Sequence, residues 1–222
     1  MPKEEFAGHQ KHEISLLVPL EQKVLARCLD KIPLWLETYH LTLLTIVWSG
    51  LVVVFGFLAR NNIQWVWGIS LVVILQYISD LFDGALGRHR NTGLVRWGFY
   101  MDHFLDYIFL CSLVIGYSFL LHERSNILVL TILAVLSAFM VHSFLMFGAL
   151  NKFSISYKGI GATELRIVFL ILNMFLIFFG KTYLEKALPY ILIVSIICLI
   201  IIVYKRQKEI WKYDMDIKKR NK

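Results

Sequence analysis

The sequence has few cysteines and few charged residues. Its three cysteines, Cys28, Cys111 and Cys198, lie far apart, so the chain offers neither a disulfide framework nor the ligand spacing of a zinc site. Charged residues make up 18% of the 222 residues and are confined to a few short stretches. Because apolar residues make up 58% of the chain, the composition is typical of a membrane domain rather than of a soluble core.

The N-terminus also lacks the features of a secretory signal peptide. Glu4 and Glu5 interrupt any basic n-region, and no apolar stretch follows within the usual distance. We therefore expect the first apolar run, which begins near Leu41, to act as an uncleaved signal anchor. No internal repeat and no low-complexity linker divides the chain.

Six apolar runs dominate the remaining sequence: 41–59, 61–79, 107–121, 126–151, 167–180 and 187–204. A helix needs about 20 mostly apolar residues to cross the hydrocarbon of a bilayer, and four of the runs meet or nearly meet that length. The third becomes long enough only if its helix includes Asp102 and Asp106, and the fifth only if its helix includes Glu164 and Arg166. Since charges at membrane depth are costly and usually face a bundle interior or a watery cavity, these residues are the first indication of function.

Basic residues are distributed unevenly between the two sides of the predicted membrane domain. One set of connections, together with the C-terminal tail, carries fourteen Lys and Arg residues, whereas the other set carries four. The positive-inside rule therefore predicts that both termini are cytoplasmic. It also explains the net charge of +7 without nucleic acid as a partner. The predicted organisation is a cytoplasmic segment (1–40), a six-helix transmembrane catalytic domain (41–204) and a basic cytoplasmic tail (205–222), which we expect to lie against anionic headgroups.

A short amphipathic segment precedes the first run. Between Pro19 and Lys31, apolar residues recur at the spacing of one helix face. The pattern alone fits a soluble amphipathic helix nearly as well, but its position just before a span favours the cytoplasmic membrane surface. The sequence thus predicts an all-α integral membrane protein with six transmembrane helices and an N-terminal interfacial amphipathic helix. The apolar face of that helix consists of Leu20, Val24, Leu25, Cys28 and Leu29.

Four aspartates are predicted to meet at one level of the membrane. Asp80 and Asp83 lie at the cytoplasmic end of the second run, and Asp102 and Asp106 lie at the start of the third. Spacings of three and four residues place each pair on one helix face. Because four carboxylates in a partly dry space repel one another, they need cations, either basic residues or divalent metals. Hard oxygen ligands of this kind suit Mg²⁺ or Mn²⁺.

The residues around these aspartates resemble the signature of the CDP-alcohol phosphatidyltransferase family. That signature is DxxDGxxAR, a spacer of eight or nine residues, and GxxxDxxxD. Here residues 80–88 read DLFDGALGR, a spacer of nine follows, and residues 98–106 read GFYMDHFLD. Seven of the eight fixed positions match, and the exception is Gly87, where the family usually has Ala.

The resemblance implies a division of roles among these side chains. A two-metal centre of Mg²⁺ or Mn²⁺ is expected on the first three aspartates, with Asp106 at the second metal. Asp106 is also the expected base that deprotonates the acceptor hydroxyl. The implied metal ligands are therefore Asp80, Asp83, Asp102 and Asp106, and the implied CDP-binding residues are Asp80, Gly84, Arg88 and Gly98.

Three basic residues at the same level, Arg96, Lys158 and Arg166, are candidates for binding a phosphate of the acceptor. The positive-inside rule alone also accounts for them, so their role stays open at this point.

The resemblance also implies the reaction. We expect CMP to be displaced from a CDP-linked lipid, with CDP-diacylglycerol favoured, by the hydroxyl of a small polar alcohol, and we expect a homodimer. One alternative is a CDP-aminoalcohol:diacylglycerol phosphotransferase, because residues 161–166 (GATELR) weakly resemble a Gly-x-Thr-Glu stretch of such enzymes. Another is a cation or proton transporter, since intramembrane carboxylates can form an ion path; the full spacing of glycines and aspartates favours the enzyme.

Overall fold

The computed structural model describes residues 18–90, 94–150 and 162–220, with the side chains of Ala162 and Glu164 left out. These residues form seven α-helices and no strand, so the prediction of an all-α protein is confirmed for this part of the chain. Short 3₁₀ turns at Leu29–Lys31, Ile63–Trp65 and Glu123–Ser125 precede or follow some of the helices. The helices are α1 (Val18–Cys28), α2 (Thr38–Ala59), α3 (Val66–Arg90), α4 (Val95–Ser118), α5 (Asn126–Leu150), α6 (Ala162–Phe179) and α7 (Lys181–Arg220).

Five helices in the described ranges are long and apolar enough to cross a membrane: α2, α3, α4, α5 and α7. The protein is therefore a multi-pass membrane protein. The predicted fifth span falls on α6, whose apolar part, Leu165–Phe179, is shorter than the others and shorter than a bilayer requires. The prediction of six spans is thus confirmed for five.

Helix α1 covers most of the predicted N-terminal helix, and the 3₁₀ turn Leu29–Lys31 completes it. None of its residues is buried, and Leu20 and Val24 on the predicted apolar face are exposed. The helix is attached to α3, because the Tyr77 hydroxyl donates to Glu21 Oε1 over 2.7 Å. Its place on a membrane surface stays a prediction.

Helix α2 is the centre of the packing, with extensive contacts to both α3 and α4. The crossing of α2 and α4 depends on two glycines. A Cβ added at Gly56 would lie 2.5 Å from the Cα of Gly116, closer than any real Cβ approaches another backbone. The two backbones therefore meet directly, as small residues permit in membrane helix pairs.

A buried polar cluster joins α3, α4 and α6 inside this apolar packing. The Tyr117 hydroxyl donates to Asn173 Oδ1 over 2.8 Å, and Asn173 Nδ2 donates to Ser70 Oγ over 3.0 Å. Asn173 is fully buried, so water does not reach its amide. The two hydrogen bonds satisfy the amide in place of water. The cluster therefore links the three helices by side-chain hydrogen bonds.

Helix α7 begins directly after Gly180, whose φ of +84° ends α6 in a conformation that glycine adopts readily. It then runs for 40 residues to Arg220. The apolar run that predicted this span ends at Tyr204, but the helix continues through the basic tail without interruption.

Candidate active site

Three of the four predicted carboxylates converge between α3 and α4. One carboxylate oxygen from each of Asp80, Asp102 and Asp106 lies within 4.8 Å of the others, and all three side chains are partly buried. Asp80 lies on α3, and Asp102 and Asp106 lie one turn apart on α4. Both helices pack on α2, which brings the three carboxylates together.

Asp83 is directed toward a different partner. Its Oδ2 lies 2.5 Å from the hydroxyl oxygen of Thr42, a buried residue in the first turns of α2. That hydroxyl also lies 3.2 Å from the carbonyl oxygen of Thr38. A bond to a charged acceptor is the stronger of the two, so Thr42 fixes Asp83 to α2.

Arg166 supplies positive charge to the carboxylate group. Its Nη2 lies 2.7 Å from Asp80 Oδ2, and its Nε donates to Gln76 Oε1 over 2.9 Å. The guanidinium carbon lies 5.5 Å from the centre of the Tyr77 ring, which is within cation–π range. Only 13% of the Arg166 side chain is exposed, so this contact is shielded from water and from screening by salt.

Gln76 connects the two sides of the site. It lies one helical turn before Asp80 on α3, and it is 1% exposed. Its Oε1 accepts from Arg166, and its Nε2 donates to Asp106 Oδ1 over 3.3 Å. Sequence reasoning missed this residue because a single amide in an apolar run has no motif around it. Its spacing of four residues from Asp80 was the available signal.

His103 borders the site and is held by its own helix. Its Nδ1 lies 2.7 Å from the carbonyl oxygen of Phe99 and 3.6 Å from Asp102 Oδ2. The ring is buried and packs against Phe99 and Phe144, with ring centres 4.4 and 5.9 Å away. A backbone carbonyl only accepts, so the proton lies on Nδ1 and is donated to Phe99.

The two glycines of the predicted CDP site differ in their surroundings. A Cβ at Gly84 would lie 3.2 Å from Nη1 of Arg88, so the arginine side chain folds back across this glycine. Among the described residues, a Cβ at Gly98 would meet nothing within 4 Å. Arg88 and Arg96 are exposed, whereas Lys158 lies outside the described residues.

The comparison with protein families favours the enzyme over the cation or proton transporter. The model of the CDP-alcohol phosphatidyltransferase family matches residues 38–204, which contain the whole carboxylate group. The chain belongs to the CDP-alcohol phosphatidyltransferase family. No curated protein matches it, and no solved structure matches it either.

As a CDP-alcohol phosphatidyltransferase, the protein is a membrane enzyme that transfers a substituted phosphate group between a CDP-alcohol and an alcohol acceptor. The family uses divalent metals, and the donors at the site fit such ions. Asp80, Asp102 and Asp106 offer charged oxygens close enough to share one ion, as Mg²⁺ and Mn²⁺ prefer. The Asp80 and Asp102 side chains are 18% and 22% exposed, which leaves access for substrate oxygens.

The structure also accounts for the one departure from the family signature. A Cβ at Gly87 would lie 3.2 Å from Cγ2 of Thr38, the first residue of α2. An alanine there would press against this methyl group, so the glycine allows α3 to pack closely on the start of α2.

Arg90, which the sequence marked only as part of the basic loop, has a structural role. Its guanidinium donates to the carbonyl oxygens of Ile32, Pro33 and Leu36 over 2.7 to 3.0 Å. These bonds tie the segment between α1 and α2 to the end of α3, next to the site. Sequence reasoning missed this role because backbone acceptors leave no trace in residue types.

Proposed function

We propose that this enzyme transfers the phosphatidyl group of CDP-diacylglycerol to a small polar alcohol. The acceptor oxygen forms a bond to the phosphorus that carries diacylglycerol, the bond from that phosphorus to the CMP phosphate breaks, and CMP leaves. The observation that carries this proposal is the convergence of Asp80, Asp102 and Asp106 within the region that matches the family.

Asp80, Asp83, Asp102 and Asp106 are proposed to hold the divalent metals, Mg²⁺ or Mn²⁺. Bound metals would neutralise charge on the diphosphate and on the departing CMP. The bond from Thr42 to Asp83 supports this assignment, since hydrogen bonds to ligating carboxylates set their orientation. Arg166 balances part of the negative charge of the carboxylate group through Asp80.

Asp106 is proposed to be the general base that takes the proton of the acceptor hydroxyl. It lies four residues after Asp102 in α4, which is roughly 6 Å farther along the helix axis. With the cytoplasmic orientation proposed below, we expect Asp106 to lie deeper than Asp102 and nearer to the lipid part of the donor. The carboxylate then holds the proton that the alcohol loses when its oxygen bonds to phosphorus.

Asp80, Gly84, Arg88 and Gly98 are proposed to bind the CDP moiety. The exposed Arg88 and the open space at Gly98 support this, because a diphosphate needs both a cation and close approach to backbone. Arg96, Lys158 and Arg166 are proposed to bind an acceptor that carries a phosphate. Arg166 would reach such an acceptor from its position beside Asp80.

The site and both termini are proposed to face the cytoplasm, with residues 41–204 forming the catalytic membrane domain. The distribution of basic residues supports this orientation. A homodimer is also proposed, on the family resemblance alone.

A CMP-release assay tests the proposed function. The purified enzyme is given CDP-diacylglycerol in mixed micelles with Mg²⁺ or Mn²⁺ and a panel of small alcohols with and without phosphate groups. We expect CMP release that depends on one alcohol and stops in excess chelator. Full activity in chelator would overturn the metal assignment, and the absence of CMP from every combination would overturn the donor.

A second candidate is a CDP-aminoalcohol:diacylglycerol phosphotransferase. The observation that favours it is the sequence of residues 161–166, whose Arg166 contacts Asp80 in the site. The same assay with a CDP-aminoalcohol and diacylglycerol separates the two, because only one of the two donors then yields CMP.

A further inference from the structure

We propose that Gln76 is a positioning residue for the transfer reaction, which holds Arg166 with one end of its amide and orients Asp106 with the other. The inference rests on the proposed function, because it assigns Asp106 as the base. It adds a role for a residue outside the family signature.

The burial of Gln76 is the first argument. Its side chain is 1% exposed and lies in a helix that spans the membrane. Burial of an amide without partners is unfavourable, so a leucine would be more stable at this position if only packing mattered. Both ends of the Gln76 amide have partners, and both partners belong to the site.

The orientation of the amide is fixed by Arg166. The Nε–H of an arginine can only donate, so the oxygen of the Gln76 amide must face it, as the 2.9 Å contact shows. The guanidinium itself is held by Asp80 and by the ring of Tyr77. The amide NH₂ group therefore has to point away from Arg166, toward Asp106.

This orientation restrains the carboxylate of Asp106. The N–H of Gln76 holds Oδ1 at 3.3 Å, which limits rotation of the carboxylate about its last side-chain bond. The direction of Oδ2 is thereby set as well. A general base has to lie within hydrogen-bond reach of the proton it removes, so a rotated carboxylate would lose rate even with the metals in place.

Gln76 also couples the two ends of the site. Arg166 bridges Gln76 and Asp80, which lie one turn apart on α3, and Gln76 continues the connection to Asp106 on α4. One amide thus contacts both the cation and the proposed base.

Three variants test the role of the amide. Gln76→Met keeps the size and removes both bonds. Gln76→Asn keeps an amide but shortens the side chain by one carbon, so it draws both ends of the amide back from Arg166 and Asp106. The control is Asn173→Leu, which removes a fully buried amide that bonds to Tyr117 and Ser70, away from the carboxylates.

The measurements are the single-turnover rate constant for CMP release with saturating Mn²⁺ and CDP-diacylglycerol, and the Kd for Mn²⁺ by electron paramagnetic resonance. Loss of a residue that orients a catalytic ligand typically costs about 10–100-fold in activity or metal affinity. We expect both Gln76 variants to lose rate constant in that range while the Kd for Mn²⁺ changes far less. Asn173→Leu should lower the amount of folded enzyme, seen as a smaller amplitude, and leave the rate constant unchanged.

Three results would overturn the inference. An unchanged rate constant in Gln76→Met would show that Gln76 has only a structural role. An unchanged rate constant in Gln76→Asn would show that the reaction does not depend on where the amide lies. If Mn²⁺ binding weakens in parallel with the rate constant, Gln76 acts on the metal site rather than on the base. If the wild type itself releases no CMP, the proposed function fails. If the wild type is active and the Gln76 variants are equally active, only the role of Gln76 fails.

Discussion

The four aspartates of the signature have different neighbours, and we expect these neighbours to divide their roles. Asp83 accepts from Thr42 on α2, a contact that holds it at the rim of the carboxylate group. Asp106 accepts from Gln76 on α3. The two carboxylates are thus contacted from different helices.

The comparison of Asp83→Asn with Asp106→Asn tests this division. Loss of Asp83 as a charged ligand should weaken metal and CDP-diacylglycerol binding together with turnover. Loss of Asp106 as the base should slow CMP release by about 10²–10⁴-fold and change CDP-diacylglycerol binding far less, since the proton transfer occurs only in the transition state. The measurement is metal-dependent binding of CDP-diacylglycerol beside single-turnover CMP release.

Two results would contradict the assignment of Asp106. If Asp106→Asn abolishes nucleotide binding as fully as Asp83→Asn does, Asp106 acts mainly as a metal ligand. If Asp106→Asn turns over at a near-normal rate, the base is another group.

Gly84 offers a test of the proposed CDP site with little effect on the fold. A Cβ there meets only the mobile end of Arg88 at 3.2 Å, so Gly84→Ala should fold normally. The added methyl group would occupy space that the diphosphate needs, and we expect a higher KM for CDP-diacylglycerol. Gly148→Ala is the matched control, because its Cβ meets nothing within 4 Å and it lies on α5. An unchanged KM in Gly84→Ala would remove Gly84 from the substrate site.

At the scale of the helices, apolar runs and charge spacing predicted much of the architecture. The apolar runs predicted six spans, of which the described residues form five. The aspartate spacing predicted that all four aspartates would meet, and Asp80, Asp102 and Asp106 do so. Hydropathy marks where apolar residues stop rather than where a helix stops, so it placed the end of the last helix at Tyr204. The contact of Thr42 with Asp83 was not predictable, because a hydroxyl in a span often bonds to its own helix.

The crossing of α2 and α4 leads to a prediction about stability. Gly56→Ala puts a methyl group 2.5 Å from the backbone of Gly116, so the helices must separate. Overpacking of this kind typically lowers the free energy of unfolding by about 1–3 kcal/mol. We expect the upper end of this range, because the neighbouring atoms belong to a rigid backbone. Gly50→Ala, six residues earlier on α2, meets nothing within 4 Å and serves as the control. Thermal unfolding in detergent should show a lower midpoint for Gly56→Ala than for the wild type and Gly50→Ala. Equal midpoints would show that α2 and α4 can separate to accept the methyl group without loss of stability.

For the whole molecule, the distribution of basic residues predicts the orientation in the membrane. Fourteen Lys and Arg lie on one predicted side and four on the other, so both termini and the carboxylate group should face the cytoplasm. A tag after Lys222 should be protected from added protease in sealed spheroplasts and cleaved once they are opened. A tag between Glu123 and Ser125, at the opposite end of α4, should be cleaved in sealed spheroplasts. Cleavage of the C-terminal tag from outside would reverse the orientation.

The length of α7 limits what its basic end can reach. A helix that continues past Tyr204 to Arg220 keeps the direction of its span, and sixteen residues at 1.5 Å each add about 24 Å. Electrostatic attraction to headgroups fades over about 8 Å at physiological ionic strength. Lys205 and Arg206 stand within that distance of the span, whereas Lys218 to Arg220 stand well beyond it. A tail helix that leaves the bilayer along its normal would carry these last charges into the aqueous phase, whereas the placement of the tail against headgroups stays a prediction from the sequence.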